Sequence, residues 1–106
     1  MIEIKYYRKA HRLTVTGHAA SAEKGKDLVC AGVTALVYTM ALNVQQMTAS
    51  KNIRRPLVFL GEGRADISCS PVHGMGAIVT VIFDTVAMGL EYIAENNPEY
   101  VSYKVM

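Results

Sequence analysis

Residues 27–49, DLVCAGVTALVYTMALNVQQMTA, decide the fold. Val29, Val33, Leu36, Met40 and Val44 recur at steps of three and four, which places them on one side of a helix. Asp27 stands just before this run, where a carboxylate accepts from the unpaired amides of a first helical turn. The spacing therefore predicts a helix beginning near Leu28 and ending near Ala49. A helix with one apolar stripe must bury it against another layer, and the flanking sequence supplies strands. Upstream, Ile2, Ile4 and Tyr6 alternate with Glu3, Lys5 and Tyr7, and beyond a short basic turn Leu13 and Val15 alternate with Arg12, Thr14 and Thr16, the pattern of a hairpin.

Downstream the plan repeats. Pro56 closes a polar linker, and Leu57 to Leu60 and Ala65 to Ser70 flank Gly61-Glu62-Gly63 as a second hairpin. A second helix runs from about Met75 to Ala94 and is stopped by Asn96-Asn97-Pro98, because proline cannot continue the ladder. Tyr100 to Val105 forms a last strand. The order β-β-α-β-β-α-β predicts an α+β sandwich, one domain over residues 1–106, with two helices packed on one face of a sheet. Between the first hairpin and the first helix, Gly17 to Lys26 (GHAASAEKGK) reads as a mobile loop bounded by glycines.

The chain has 106 residues, 51% apolar and 19% charged, enough to bury a core without a metal or disulfide staple and too apolar for a disordered tail. A net charge of +2 is too small to indicate a nucleic-acid binder. The cluster Lys5, Arg8, Lys9 and Arg12 reads first as a solvated face and second as a contact to a ribosomal or acidic partner. Two cysteines, Cys30 and Cys69, are too few for a disulfide framework and fit a reducing compartment, and the first residues lack the pattern of a secretory signal; a cytoplasmic location is expected. The apolar stretch Met75 to Ile93 carries Asp84 and Glu91 and is read as a buried helix rather than a membrane span.

Cys30 is the candidate nucleophile. A thiol attacks as thiolate, and an ordinary cysteine is only a few per cent ionised at neutral pH. A place in the first helical turn would help by about 0.3–1 kcal/mol, less than one pKa unit, so a proton acceptor is also required. His18 is the best placed in sequence, in the loop just before the helix. Asp27 can orient the imidazole instead of, or in addition to, capping the helix. The amide of Ala31 or a neighbour is a candidate oxyanion donor. Gly32 leaves room either for a substrate backbone or for close helix packing.

These residues carry a resemblance. Gly17-His18-Ala19, a loop with Gly25, then Asp27-Leu28-Val29-Cys30-Ala31-Gly32-Val33 and Ala35-Leu36 are similar to the ribosomal-processing cysteine protease Prp family. The resemblance implies a dyad of His18 and Cys30, assistance by Asp27, a homodimer, no cofactor, and a defined substrate. That substrate is the amino-terminal extension of large-subunit ribosomal protein twenty-seven, cut after a pair of aromatic residues. Thr34 stands where the family often has serine; the hydroxyl is retained, so a hydrogen-bonding role is still expected.

The remaining candidates have plainer readings. Cys69 sits in an alternating strand and is expected to be structural; His11 and His73 are expected to be solvated or capping residues. No paired spacing of cysteines or histidines provides the four ligands of a zinc site, and no metal is expected. Tyr38, Phe59, Phe83 and Tyr92 read as core, some of them available to a dimer seam. The second helix has Val79, Phe83, Val86 and Leu90 on one face and Ile78 and Ile82 on another, more apolar perimeter than one sheet covers, which favours a homodimer. Neither direct nucleic-acid binding nor membrane insertion is expected. The rivals to a protease are a non-catalytic ribosome-associated binding module and a redox sensor using Cys30.

Overall fold

The computed structural model of the chain describes residues 1–17 and 24–106, with the backbone alone for 24–27. In chain order the elements are β1 (Ile2–Tyr7), β2 (Arg12–Thr16), α1 (Lys24–Ala49), β3 (Ile53–Gly61), β4 (Arg64–Pro71), α2 (Gly76–Asn96) and β5 (Val101–Val105). The strands form one five-stranded mixed sheet in the order β3-β4-β2-β1-β5. The β1–β2, β2–β4 and β3–β4 pairs are antiparallel, and β5 returns parallel to β1. This is the expected α+β order.

Alternation decides which face the helices cover. Ile4 lies opposite Val15 and Tyr6 opposite Leu13, while Val15 and Leu13 lie opposite Ala65 and Ile67, so their side chains share one face, and all are buried. Against that face α1 buries Val29, Val33, Val37, Met40, Val44 and Met47, and α2 buries Val79, Phe83, Val86, Leu90 and Ala94, all within one contiguous core. Phe83, almost fully buried at its centre, is worth up to about 3 kcal/mol. On the opposite face Asp66 is buried, and Arg12 holds its carboxylate through two hydrogen bonds of 2.9 and 2.6 Å.

The helices touch each other through glycine. A Cβ on Gly32 would meet Ile93 Cδ1 at 3.1 Å, and one on Gly89 would meet Leu36 Cδ1 at 2.9 Å. The partner positions rise along α1 as they fall along α2, so the helices run antiparallel. Leu36, expected on the sheet-facing stripe, instead faces α2 and is only half-buried, and Val37 takes its place against the sheet. Leu28–Ala49 and α2 are both long and apolar enough to cross a membrane by length and composition, yet each packs one side onto the sheet. Their remaining apolar residues lie on the outside: Leu28 and Leu42 on α1, and Ile78, Val81, Met88 and Tyr92 on α2, are all more than half exposed.

Two boundaries and one side chain differ from the sequence reading. α1 begins at Lys24 rather than near Leu28, so the end of the expected loop, Lys24 to Lys26, is helical and Asp27 lies inside the first turn instead of capping it. Pro56 does not close a linker; it lies within β3, where the register shifts between Arg54 and Leu57 and Arg55 takes φ 51°. An edge strand tolerates this because, among the described residues, no neighbouring strand bonds to its outer groups. His11, expected to be a solvated or capping residue, is a packing residue. Its Nε2 lies 2.8 Å from Thr80 Oγ1 on α2 and its ring meets the Phe83 ring edge-on at 6.0 Å.

Candidate active site

Cys30 is an exposed free thiol on the side of α1 that faces neither the sheet nor α2. Thr34 and Tyr38 follow it at steps of four residues and so stand above one another along the same helical side. The three form one wall of a cleft of about 220 Å³. The floor is apolar, made by Val33 and Val37 of α1, Ile2 of β1, Val15 of β2 and Ala65 of β4. The opposite wall is the end of the β3–β4 hairpin, with Leu60, Gly61, Gly63 and Arg64. An exposed sulfur beside an apolar trough open to solvent can receive a peptide carbonyl while neighbouring side chains are held below it.

Gly17 closes the cleft at the end of β2. Its φ of 97° is one that other residues adopt only with strain, and its N–H donates to the Gly63 carbonyl at 2.9 Å. A Cβ there would overlap the Met1 carbonyl oxygen. The chain therefore leaves β2 along a path braced by the β3–β4 turn and by β1, and His18 is the next residue in sequence. His18 itself lies outside the described residues, as do the side chain of Asp27 and most of the Gly17–Lys26 loop.

With α1 starting at Lys24, the helix end lies further from Cys30 than the sequence predicts. Cys30 is the seventh helical residue rather than a member of the first turn. Macrodipole stabilisation falls off within the first turn, so the helix end contributes little to ionising this thiol, and the requirement for a neighbouring base becomes stronger. The amide of Ala31 is likewise inside the helix, where the ladder commits it to the carbonyl of Asp27. It is not a free oxyanion donor. Gly32 does not line the cleft; it faces Ile93 of α2, so of the two readings of this glycine the structure selects close helix packing. Thr34 and Gly17 do line it.

Tyr38, read from sequence as core, is a cleft residue about half exposed. The i, i+4, i+8 spacing of Cys30, Thr34 and Tyr38 was the signal that could have found it. Leu60, Gly61 and Arg64 had no such signal, since they reach the cleft only through sheet pairing. Cys69 points into the core from β4, and burial pushes its thiol up to about 11, so it stays protonated and unreactive.

An exposed helical thiol over an apolar peptide-sized cleft, in a two-layer α+β frame, is the layout of a cysteine protease. The chain belongs to the cysteine protease Prp family, whose model matches residues 1–102. It is 25% identical over 108 residues to the ribosomal processing cysteine protease Prp of Mycoplasma pneumoniae, covering 95% of this chain and 93% of that protein. Among solved structures, SMU.848 from Streptococcus mutans superposes with a TM-score of 0.69 at 25% identity, covering 99% of this chain and 91% of that one. The essential ribosomal processing protease Prp of S. aureus, solved with a covalently linked product peptide, superposes with a TM-score of 0.70 at 21% identity, covering 99% and 97%. That likeness is one of fold.

Proposed function

We propose that this protease removes the amino-terminal extension of large-subunit ribosomal protein twenty-seven, with Cys30 as nucleophile and His18 as general base and acid. His18 takes the proton of the Cys30 thiol, and the sulfur adds to the scissile carbonyl carbon. As the tetrahedral intermediate collapses, the carbon–nitrogen bond breaks and the imidazolium gives its proton to the leaving amine. Water, deprotonated by the same imidazole, then attacks the thioester, releasing the new carboxylate and restoring the thiol. Asp27 assists by orienting the imidazole, and Thr34 supplies a hydroxyl for hydrogen bonding in the cleft. The observation that carries this reading is the exposed Cys30 thiol in an apolar cleft whose rim includes Gly17, the residue before His18. The deciding experiment is cleavage of an extension peptide by the wild type and by Cys30→Ala. Loss of cleavage in the variant is expected, and cleavage at the wild-type rate would overturn the assignment.

We further propose that the enzyme works as a cytoplasmic homodimer. The support is the outer helical face, where Leu42 on α1 and Ile78, Val81, Met88 and Tyr92 on α2 stand exposed side by side on antiparallel helices. Apolar surface of this extent on a soluble chain marks an association site.

A further inference from the structure

The outer edge of the sheet is a surface that the proposed chemistry leaves unused. β3 is the terminal strand on the α1 side, and among the described residues no strand pairs with its far edge. The parity of the ladder tells which of its groups point outward. Gly61 and Arg64 flank the two-residue turn Glu62–Gly63 and so form a hydrogen-bonded pair; Leu60–Ala65 and Val58–Ile67 are then non-bonded pairs. The other side of β4 agrees, because Cys69 N–H donates toward β2, to the His11 carbonyl at 3.2 Å, as the odd-numbered residues of β4 should. The N–H and C=O groups of Val58 and Leu60 therefore face away from β4 and, among the described residues, are left to pair with another strand.

Natural sheets guard such edges with charge, proline or a bulge, and β3 has all three at one end only: Arg54, Arg55 and Pro56, with the register shift. The remaining stretch, Leu57 to Gly61, carries no charge and no proline, with Leu57, Phe59 and Leu60 exposed. This unguarded stretch is the one that meets the active cleft, since Leu60 and Gly61 form the wall across from Cys30, Thr34 and Tyr38. We propose that Leu57–Gly61 is the substrate-docking strand: an extended, apolar peptide pairs with the outward groups of Val58 and Leu60 and is delivered by that pairing to Cys30. Alternate peptide side chains then drop to the helix side, into the cleft beside Leu60 and Tyr38, while the others lie on the open side by Leu57 and Phe59.

This inference rests on the protease reading and deepens it. The test is a set of extension peptides in which one backbone amide at a time is N-methylated, assayed for kcat/KM with the wild type, Cys30→Ala and Val58→Pro. Pairing as a strand predicts a period-two pattern, with about tenfold losses at amides that face β3 and little change at those between them. Val58→Pro, which removes an outward N–H that no ladder bond uses, should raise KM for the parent peptide several-fold while thermal unfolding confirms the fold. If the wild type cleaves every methylated peptide alike and Cys30→Ala cleaves none, the docking strand is wrong and the protease assignment stands. Cleavage of the parent peptide by Cys30→Ala as fast as by the wild type would instead bring down the protease assignment. Should Val58→Pro misfold, the methylation pattern alone decides.

Discussion

Cys30 lies too far along α1 for the helix end to ionise it, so the imidazole carries most of the proposed activation. Cys30→Ser and Cys30→Ala are expected to abolish peptide cleavage with fold intact, because the side chain is exposed and the volume change small. For His18→Ala, peptide cleavage is expected to fall at least about 100-fold, the lower end of what a positioned acid–base group contributes. An activated ester, whose leaving group needs no proton, should lose less; equal losses would restrict His18 to thiol activation. Gly17→Ala tests the rim of the cleft. Its φ of 97° and the overlap of a Cβ with the Met1 carbonyl predict a loss of about 2 kcal/mol or more, read as a lowered Tm. An unchanged Tm would show that the brace at the cleft rim is not as tight as the geometry requires.

At the scale of elements, the β1–β2 turn is fastened to α2 by a small polar network. Tyr6 donates to Asp84 Oδ1 at 2.7 Å, and Arg8 reaches both carboxylate oxygens of Asp84, its Nη2 at 3.0 Å from Oδ2. These hydrogen bonds, Arg8 first and Tyr6 second, hold the Asp84 carboxyl below its ordinary value, while burial and the bond to Asp84 push the Tyr6 phenol well above its own. Burial, then the nearby Arg8, lowers His11. Both Asp84 and His11 bind protons less readily folded than unfolded, so both contribute stability that is lost as pH falls. The His11 contribution should fade below about pH 6.5, and that of Asp84 below about pH 4. Thermal unfolding from pH 7 to pH 3 is expected to show Tm falling across both windows, with His11→Gln removing the upper one. Gly32→Ala is expected to keep near-normal cleavage, because Gly32 packs on Ile93 and does not line the cleft; a large loss of kcat without loss of Tm would return it to the site.

For the whole molecule, the outer faces of α1 and α2 together are the surface proposed for association. A homodimer at micromolar concentration is expected by sedimentation, and Leu42→Glu with Met88→Glu is expected to give monomers. Both side chains are more than 60% exposed, so the charges should cost the protomer little of its own stability. A wild type that sediments as a monomer would remove the dimer, and a dimer unaffected by the double substitution would move its interface elsewhere.

Local periodicity alone determined the elements and their order, because the alternation of Ile2, Ile4 and Tyr6 and the three-and-four spacing of α1 are properties of adjacent residues. Cys30 stood out by its place near the helix start, after His18, and by the family-like motif around it, and the i+4 spacing holds Thr34 and Tyr38 on its side. What only the tertiary structure decided is whatever depends on residues distant in the chain. The parallel return of β5 beside β1 and the edge position of β3, which makes Pro56 acceptable inside a strand, come from pairing between distant segments. Gly32 is assigned to helix packing only because Ile93 lies against it, and the cleft exists only because the β3–β4 hairpin closes over a helix coded some thirty residues earlier. Hydrophobic pattern tells a residue which face of its own element it occupies; which element faces it is set by the packing of the whole chain.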